Sequence, residues 1–120
     1  MANPFVHLEL NTPDLPRAKQ FYGALCGWEF QDMQMGSPDA VYSTFGTDTG
    51  PGGGVTSMGG GKPAWLPYIG VEEIHAATEK ARSLGATVLH DSHEIPNIGW
   101  MSILTDPTGA AIALFQPKQA

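Results

Sequence analysis

The chain repeats one pattern, and that repeat limits the folds open to it more than any other feature. Phe5-Val-His-Leu-Glu-Leu10 alternates as a strand does. Asp14 then precedes Leu15 and Pro16, a capping carboxylate followed by proline in the first turn of a helix. Leu15, Ala18, Tyr22 and Leu25 follow at helical spacing with Phe21 beside them, and Gly27 stops the helix. About 59 positions later the pattern returns. Tyr68-Ile-Gly-Val71 ends a strand, and Glu72 and Glu73 bring negative charge to a helix start. Ile74, Ala77, Ala81 and Leu84 repeat the stripe, and Gly85 closes it. Three short strands are predicted after each helix, over 28–35, 40–46 and 54–58, then over 87–90, 100–105 and 110–116. Similar turns, Thr47-Asp-Thr-Gly50 and Thr105-Asp-Pro-Thr-Gly109, precede the last strand of each set.

Each helix has one apolar stripe and therefore covers one face of a sheet. The expected fold class is α+β: two βαβββ modules forming a cupped, mostly antiparallel sheet with helices on the outer face. A single domain over residues 1–120 is expected, with module one about 1–60 and module two about 61–120. Gly59-Gly-Gly61 and Lys62-Pro63 read as the hinge between them. The net charge of -6 and the lack of any basic run exclude nucleic acid and anionic membrane as partners. There is no long apolar span and no basic-then-apolar leader pattern, so a cytoplasmic protein is expected. The single cysteine, Cys26, excludes an internal disulfide and reads as a packed thiol.

Several stretches carry a family resemblance. They are Leu10-Asn-Thr-Pro-Asp14, Phe21-Tyr-Gly-Ala-Leu-Cys-Gly-Trp28, Pro51-Gly-Gly-Gly-Val55, Ser83-Leu-Gly-Ala-Thr-Val88 and Asp106-Pro-Thr-Gly109. In this order and spacing, over nearly the whole chain, they resemble the vicinal oxygen chelate superfamily, which holds glyoxalase I, bleomycin-resistance proteins, fosfomycin-resistance proteins and extradiol dioxygenases. Trp28, Tyr68 and Ile95-Pro-Asn-Ile-Gly99 are similar to its glyoxalase-like branch. The resemblance implies paired βαβββ modules, a cupped sheet around a small organic molecule, and a homodimer. It also implies a divalent metal held by His, Glu or Gln on the cupped face. Carried over residue by residue, its ligand positions fall on His7, Leu66, Ala113 and either Gly54 or Val55. One donor among four positions is a poor site, because an ion needs several convergent N or O donors. No metal and no other cofactor is therefore expected, a divalent metal fitting only an atypical site.

Strand parity supplies the candidate ligand-binding residues: Phe5, His7 and Glu9, then Leu66 and Tyr68 with Gly70, then Ala111, Ala113 and Phe115. Trp100 and a loop with His90, His93 and Asn97 are expected to close one end. The small side chains of Ala111 and Ala113 are read as leaving volume for a ligand in a largely apolar, aromatic pocket. His7 and Glu9 share one strand face and are the candidate catalytic pair. The competing reading is a structural hydrogen bond, with Glu9 satisfied by a hydroxyl. His90 and His93 read as solvated loop residues, and His75 as surface. Gly52-Gly-Gly54 lacks a following Lys-Ser/Thr and reads as backbone close to a sheet edge or a dimer mate. Trp28 and Trp65 read as core or interface anchors. Four functions remain open: a small-molecule-binding protein of the glyoxalase/bleomycin-resistance kind, a metal-independent lyase-, isomerase- or dioxygenase-like enzyme working through His7 and Glu9, a metal-dependent enzyme whose site is assembled atypically, or a structural module with a filled cup.

Overall fold

The computed structural model describes residues 2–36 and 40–119. The element order is β1 (Phe5–Asn11), α1 (Leu15–Cys26), β2 (Phe30–Gln34), β3 (Val41–Phe45) and β4 (Gly53–Thr56). The same order recurs as β5 (Ala64–Gly70), α2 (Ile74–Ser83), β6 (Thr87–Ile95), β7 (Gly99–Thr105) and β8 (Ala111–Pro117). The fold is α+β, with βαβββ written twice. In the first module the strands lie in the order β2-β3-β4-β1, and in the second β5-β8-β7-β6. The β1–β4 and β5–β8 pairs are parallel and the remaining pairs within the modules antiparallel. Among the described residues no helix is long and apolar enough to cross a membrane.

The helix ends follow the local chemistry. Asp14 caps α1 by accepting from Arg17 N at 3.2 Å. Gly27 ends it at φ 73, a left-handed backbone that a side chain resists. Glu73 caps α2 by accepting from Ala76 N at 2.6 Å. The Asp106-Pro-Thr-Gly109 turn closes on one carboxylate oxygen. Asp106 Oδ1 accepts from the Thr108 hydroxyl at 2.6 Å, Thr108 N at 2.8 Å and Ala110 N at 3.1 Å. These donors, the Thr108 hydroxyl first among them, hold the Asp106 carboxyl below its ordinary pKa.

Each module buries its own core between helix and sheet. Leu10, Phe45 and Val55 meet Leu15, Ala18, Tyr22, Trp28 and Phe30 in the first. Ile74, Leu104 and Leu114 meet Ile69, Val71, Ala77, Ala81 and Trp100 in the second. Burying one such aliphatic side chain contributes about 1.5–3 kcal/mol. Trp28 stacks on Phe45 at 4.0 Å between centroids, and Trp65 stands edge-on to Tyr22 and Trp28. The helix stripes differ in detail from the sequence reading. Leu25 and Leu84 are exposed, and Thr78 is fully buried within the α2 stripe. Its hydroxyl donates to Ile74 O at 2.7 Å and accepts from Ser102 Oγ at 2.7 Å. Ser102 Oγ in turn accepts from Ser92 N at 2.8 Å. A polar residue stays in the stripe because all of its hydrogen bonds are made internally.

The chain divides into two compact units, His7–Leu66 and the stretch up to Val6 together with the chain from Pro67 onward. The first residues join the second module because Pro4 O accepts from Gly70 N at 2.9 Å and Asn3 Nδ2 donates to Gly70 O at 2.8 Å.

Other expectations are corrected. Cys26 is exposed in the last turn of α1 rather than packed. His90 and His93 belong to β6, not to a loop, and both are exposed. The β6 strand runs on through Asp91–His93 by shifting register twice, with Ser92 at φ 49. The Gly52–Gly54 run is not at a sheet edge, since β4 lies between β1 and β3. Thr78→Val removes the acceptor of the buried Ser102 hydroxyl and is expected to cost about 1–3 kcal/mol. The check is urea denaturation, with a lower midpoint at unchanged slope.

Candidate functional site

The faces of both modules are fixed by what the helices cover. Leu10 and Val55 lie under α1, so His7, Glu9 and Gly54 turn to the opposite, open face. In β3, Phe45 lies under α1 and Tyr42 turns the other way. In the second module Ile112 and Leu114 lie under α2, so Ala111, Ala113 and Phe115 share the open face. Ile69 lies under α2, and Tyr68 and Leu66 take the opposite parity.

On the open face of the first module a hydrogen-bonded chain joins three side chains from two strands. Tyr42 Oη lies 2.7 Å from His7 Nε2. The same phenol donates to Glu9 Oε1 at 2.9 Å. Tyr42 sits on β3 and its partners on β1, so the ring must cross β4. It crosses at Gly54, which pairs with Glu9 on one side and Thr44 on the other. A Cβ at position 54 would lie 2.0 Å from Tyr42 Cε1 and 2.5 Å from Oη, well inside any permitted contact. Glycine at 54 is therefore what lets the phenol reach the pair. All three side chains are half-buried. Burial lowers the pKa of His7 below its ordinary value and favours the neutral imidazole.

The second module repeats this geometry with different chemistry. Tyr68 pairs with Ala113 as Glu9 pairs with Gly54. Met101 holds the place of Tyr42, two residues from the partner of the small residue in each case. The Tyr68 hydroxyl points to Met101 Sδ at 3.9 Å. A phenol and a thioether thus stand where the first module has a carboxylate and a phenol.

The structure unites some of the expected site residues and separates others. His7 and Glu9 come together, through Tyr42, which sequence reasoning missed. Phe5 is exposed and belongs to the other compact unit, and Leu66 is half-buried on β5. Ala111 is exposed, but Ala113 is fully buried. Tyr68 and Ile103 flank Ala113 on the neighbouring strands, and the Tyr68 and Phe115 rings meet at 6.4 Å. Trp100 belongs to the opposite side. It packs with Leu104 and Leu114 under α2, and Lys118 Nζ lies 5.2 Å from its ring centroid. A shallow groove of about 310 Å³ runs beside α1 between Leu10, Ala18, Phe21, Tyr22 and Pro63, away from the open face.

Among the described residues no three His, Cys, Asp or Glu side chains come together in a way that could hold a metal ion. The two donors that do meet, His7 and Glu9, are joined by a phenol, and Gly54, Leu66 and Ala113 offer no side-chain donor. The described residues do not fit the family's metal centre.

Two βαβββ modules, each with its helix on one face of a four-strand array, define the vicinal oxygen chelate class of folds. The chain belongs to the glyoxalase-like domain family, whose sequence profile matches residues 7–115. It is 33% identical over 117 residues to CFP32 of Mycobacterium tuberculosis, which carries the name of a glyoxylase; the match covers 93% of this chain and 45% of CFP32. It is 26% identical over 129 residues to the anthracycline biosynthesis protein DnrV of Streptomyces peucetius, covering 90% of this chain and 45% of DnrV. The chain thus spans about half the length of these relatives. Among solved structures, hypothetical protein BH1468 of Bacillus halodurans superposes with a TM-score of 0.79 at 11% identity, over 100% of this chain and 98% of that one. Methylmalonyl-CoA epimerase of Mycobacterium tuberculosis superposes with a TM-score of 0.73 at 13% identity, over 97% and 89%. At these identities the likeness is one of fold.

Two outcomes follow from this geometry. Gly54→Ala drives a methyl group into the Tyr42 ring and is expected to cost about 1–3 kcal/mol in chemical denaturation, by overpacking and loss of both hydrogen bonds. The lowered pKa of His7 means that the unfolded chain binds the His7 proton more tightly. This contribution to stability is complete above the unfolded value of about 6.5 and is lost as the pH falls through the folded value. Denaturation midpoints measured across that range should decline toward acid, and His7→Gln should flatten the decline.

Proposed function

We propose that this is a small-molecule-binding protein of the glyoxalase/bleomycin-resistance kind, recognising its ligand at the open face of the first module without the family's usual metal ligand set. The observation that carries this reading is the imidazole–phenol–carboxylate chain of His7, Tyr42 and Glu9 on the face that α1 leaves uncovered. A few fixed polar groups among apolar and aromatic surroundings are the usual make-up of a small-molecule site. The names of the relatives, one a glyoxylase and one an anthracycline biosynthesis protein, point to small-molecule chemistry in the family. Leu66, half-buried on β5 in the same compact unit, belongs to this reading as a contributor to ligand contact. A homodimer completes it on the strength of the family resemblance, and a cytoplasmic setting fits the chain's single cysteine.

A second reading has an observation of its own. A base joined through a phenol to a carboxylate can accept, pass and return a proton, so the same three residues suit a metal-independent isomerase or lyase. The substrate would need an acidified C–H or O–H, because neither an imidazole nor a carboxylate removes an ordinary aliphatic proton.

A thermal-shift screen over dicarbonyls, aromatic acids and divalent metals tests both readings. A binder is stabilised by about 2.7 kcal/mol at a hundredfold excess of ligand over its dissociation constant. With a ligand in hand, His7→Ala and Glu9→Gln are expected to weaken binding at least tenfold. Retained affinity with lost turnover moves the conclusion to the enzyme. Stoichiometric metal dependent on His7 contradicts the metal-free part, and no stabilisation by any small molecule contradicts the binding reading.

A further inference from the structure

We propose that the open face of the second module holds a copper site of its own, with the His90 and His93 imidazoles as ligands and the Met101 thioether as a third donor. The site is independent of the first-module reading above, which uses none of these residues. Sequence spacing alone argues against it, because residues three apart in a regular strand point to opposite faces. The β6 strand cancels that mismatch. From Val88 to His93 it runs past only the stretch Leu104 to Met101 of β7, so two residues of β6 are extra. His90 thereby lies opposite Ile103, and His93 opposite Met101. Ser102 and Leu104 turn to α2, so Ile103 and Met101 face the open side. Residues paired across antiparallel strands share a face, and both histidines are exposed. Their partners are two apart, which sets the histidines on adjacent places roughly 7 Å apart, a span that two imidazoles close around an ion bonded at about 2 Å. Met101 Sδ, to which the Tyr68 hydroxyl points at 3.9 Å, lies on the same face beside His93.

The double bulge is fixed by contacts on its other side. Ser92 takes φ 49, a left-handed backbone that a serine resists. Its N–H donates to the buried Ser102 Oγ at 2.8 Å, and its hydroxyl to Asp91 Oδ1 at 2.8 Å. Arg82 holds Asp91 to α2 by an ion pair of 2.8 Å, and Lys118, over the Trp100 ring, pairs with Glu94. A bulge held against backbone strain re-aims side chains, and such bulges gather beside functional sites. The same contacts turn the two neighbouring carboxylates away and leave nitrogen and sulfur donors on the face. That set disfavours Mg²⁺ and Ca²⁺, which are hard ions held by oxygen. Imidazoles with a thioether suit copper, the soft cuprous ion above all.

Cuprous ion, delivered without oxygen as its acetonitrile complex, is titrated into the Cys26→Ser chain, because the exposed Cys26 thiol would compete for it. Histidine ring resonances in proton–nitrogen spectra read the site. One equivalent is expected to shift His90 and His93, and an excess of Mg²⁺ or Ca²⁺ to shift neither. A residue that merely supports a metal ligand is worth roughly ten- to a hundredfold in affinity, so His90→Ala and His93→Ala should each weaken binding by at least about tenfold. Met101→Leu keeps the bulk of the side chain and should weaken cuprous binding as well. The double variant His90→Ala with Asp91→His keeps two imidazoles but sets one toward α2, and should bind no better than His90→Ala alone. His7→Ala should leave the shifts of His90 and His93 in place. No shift at one equivalent, unaltered affinity in both alanine variants, or full recovery in the double variant overturns the site. Unaltered cuprous affinity in Met101→Leu overturns the part given to the thioether.

Discussion

A side chain can cross a strand only where that strand leaves a gap, and the gap at Gly54 organises the first module. Strands sit roughly 5 Å apart, and residues on one face of a strand crowd whatever passes over them. Tyr42 on β3 reaches His7 and Glu9 on β1 because the intervening β4 presents bare backbone at the point of crossing. The polar chain is therefore a property of three strands in register. Its two hydrogen bonds matter for stability as well. Glu9 and His7 are half-buried, and a carboxylate or imidazole withdrawn from water costs free energy until a partner replaces it.

The repeat gives the chain two copies of one skeleton, and the copies have diverged in chemistry while keeping their geometry. Glu9, Tyr42 and Gly54 correspond to Tyr68, Met101 and Ala113 by strand register. In both, a residue of the first strand meets one of the middle strand across a small residue. The first copy joins three titratable groups in this way. The second invests in packing, with Ala113 fully buried beside Tyr68 and Ile103. The functional reading accordingly rests on the first module.

Much of this was legible from the amino-acid order. The helix caps at Asp14 and Glu73, the αL stop at Gly27 and the faces of β1, β5 and β8 all follow from local chemistry and from a period of two. What escaped was non-local. Tyr42 carries no local mark of its role, since its partners lie 35 and 33 residues away and depend on the registers of β3, β4 and β1. Gly54 was one of two candidate positions until pairing with Glu9 settled the register. Trp100 was misplaced although a signal existed: it shares parity with Ser102 and Leu104, and both of those contact the α2 side. The polar stretch Asp91-Ser-His93 hid the continuation of β6, because a strand that shifts register loses the alternation by which it is recognised.

The central claim is that Gly54 and Tyr42 form one device, and a double-mutant cycle measures that most directly. Gly54→Ala and Tyr42→Ala are compared singly and together by equilibrium denaturation. Removing the ring gives the new methyl group room, so the double variant should recover part of the single costs, with a coupling of about 1–3 kcal/mol. Strict additivity would mean that the ring does not cross the strand at that glycine, and the polar chain described here would lose its foundation.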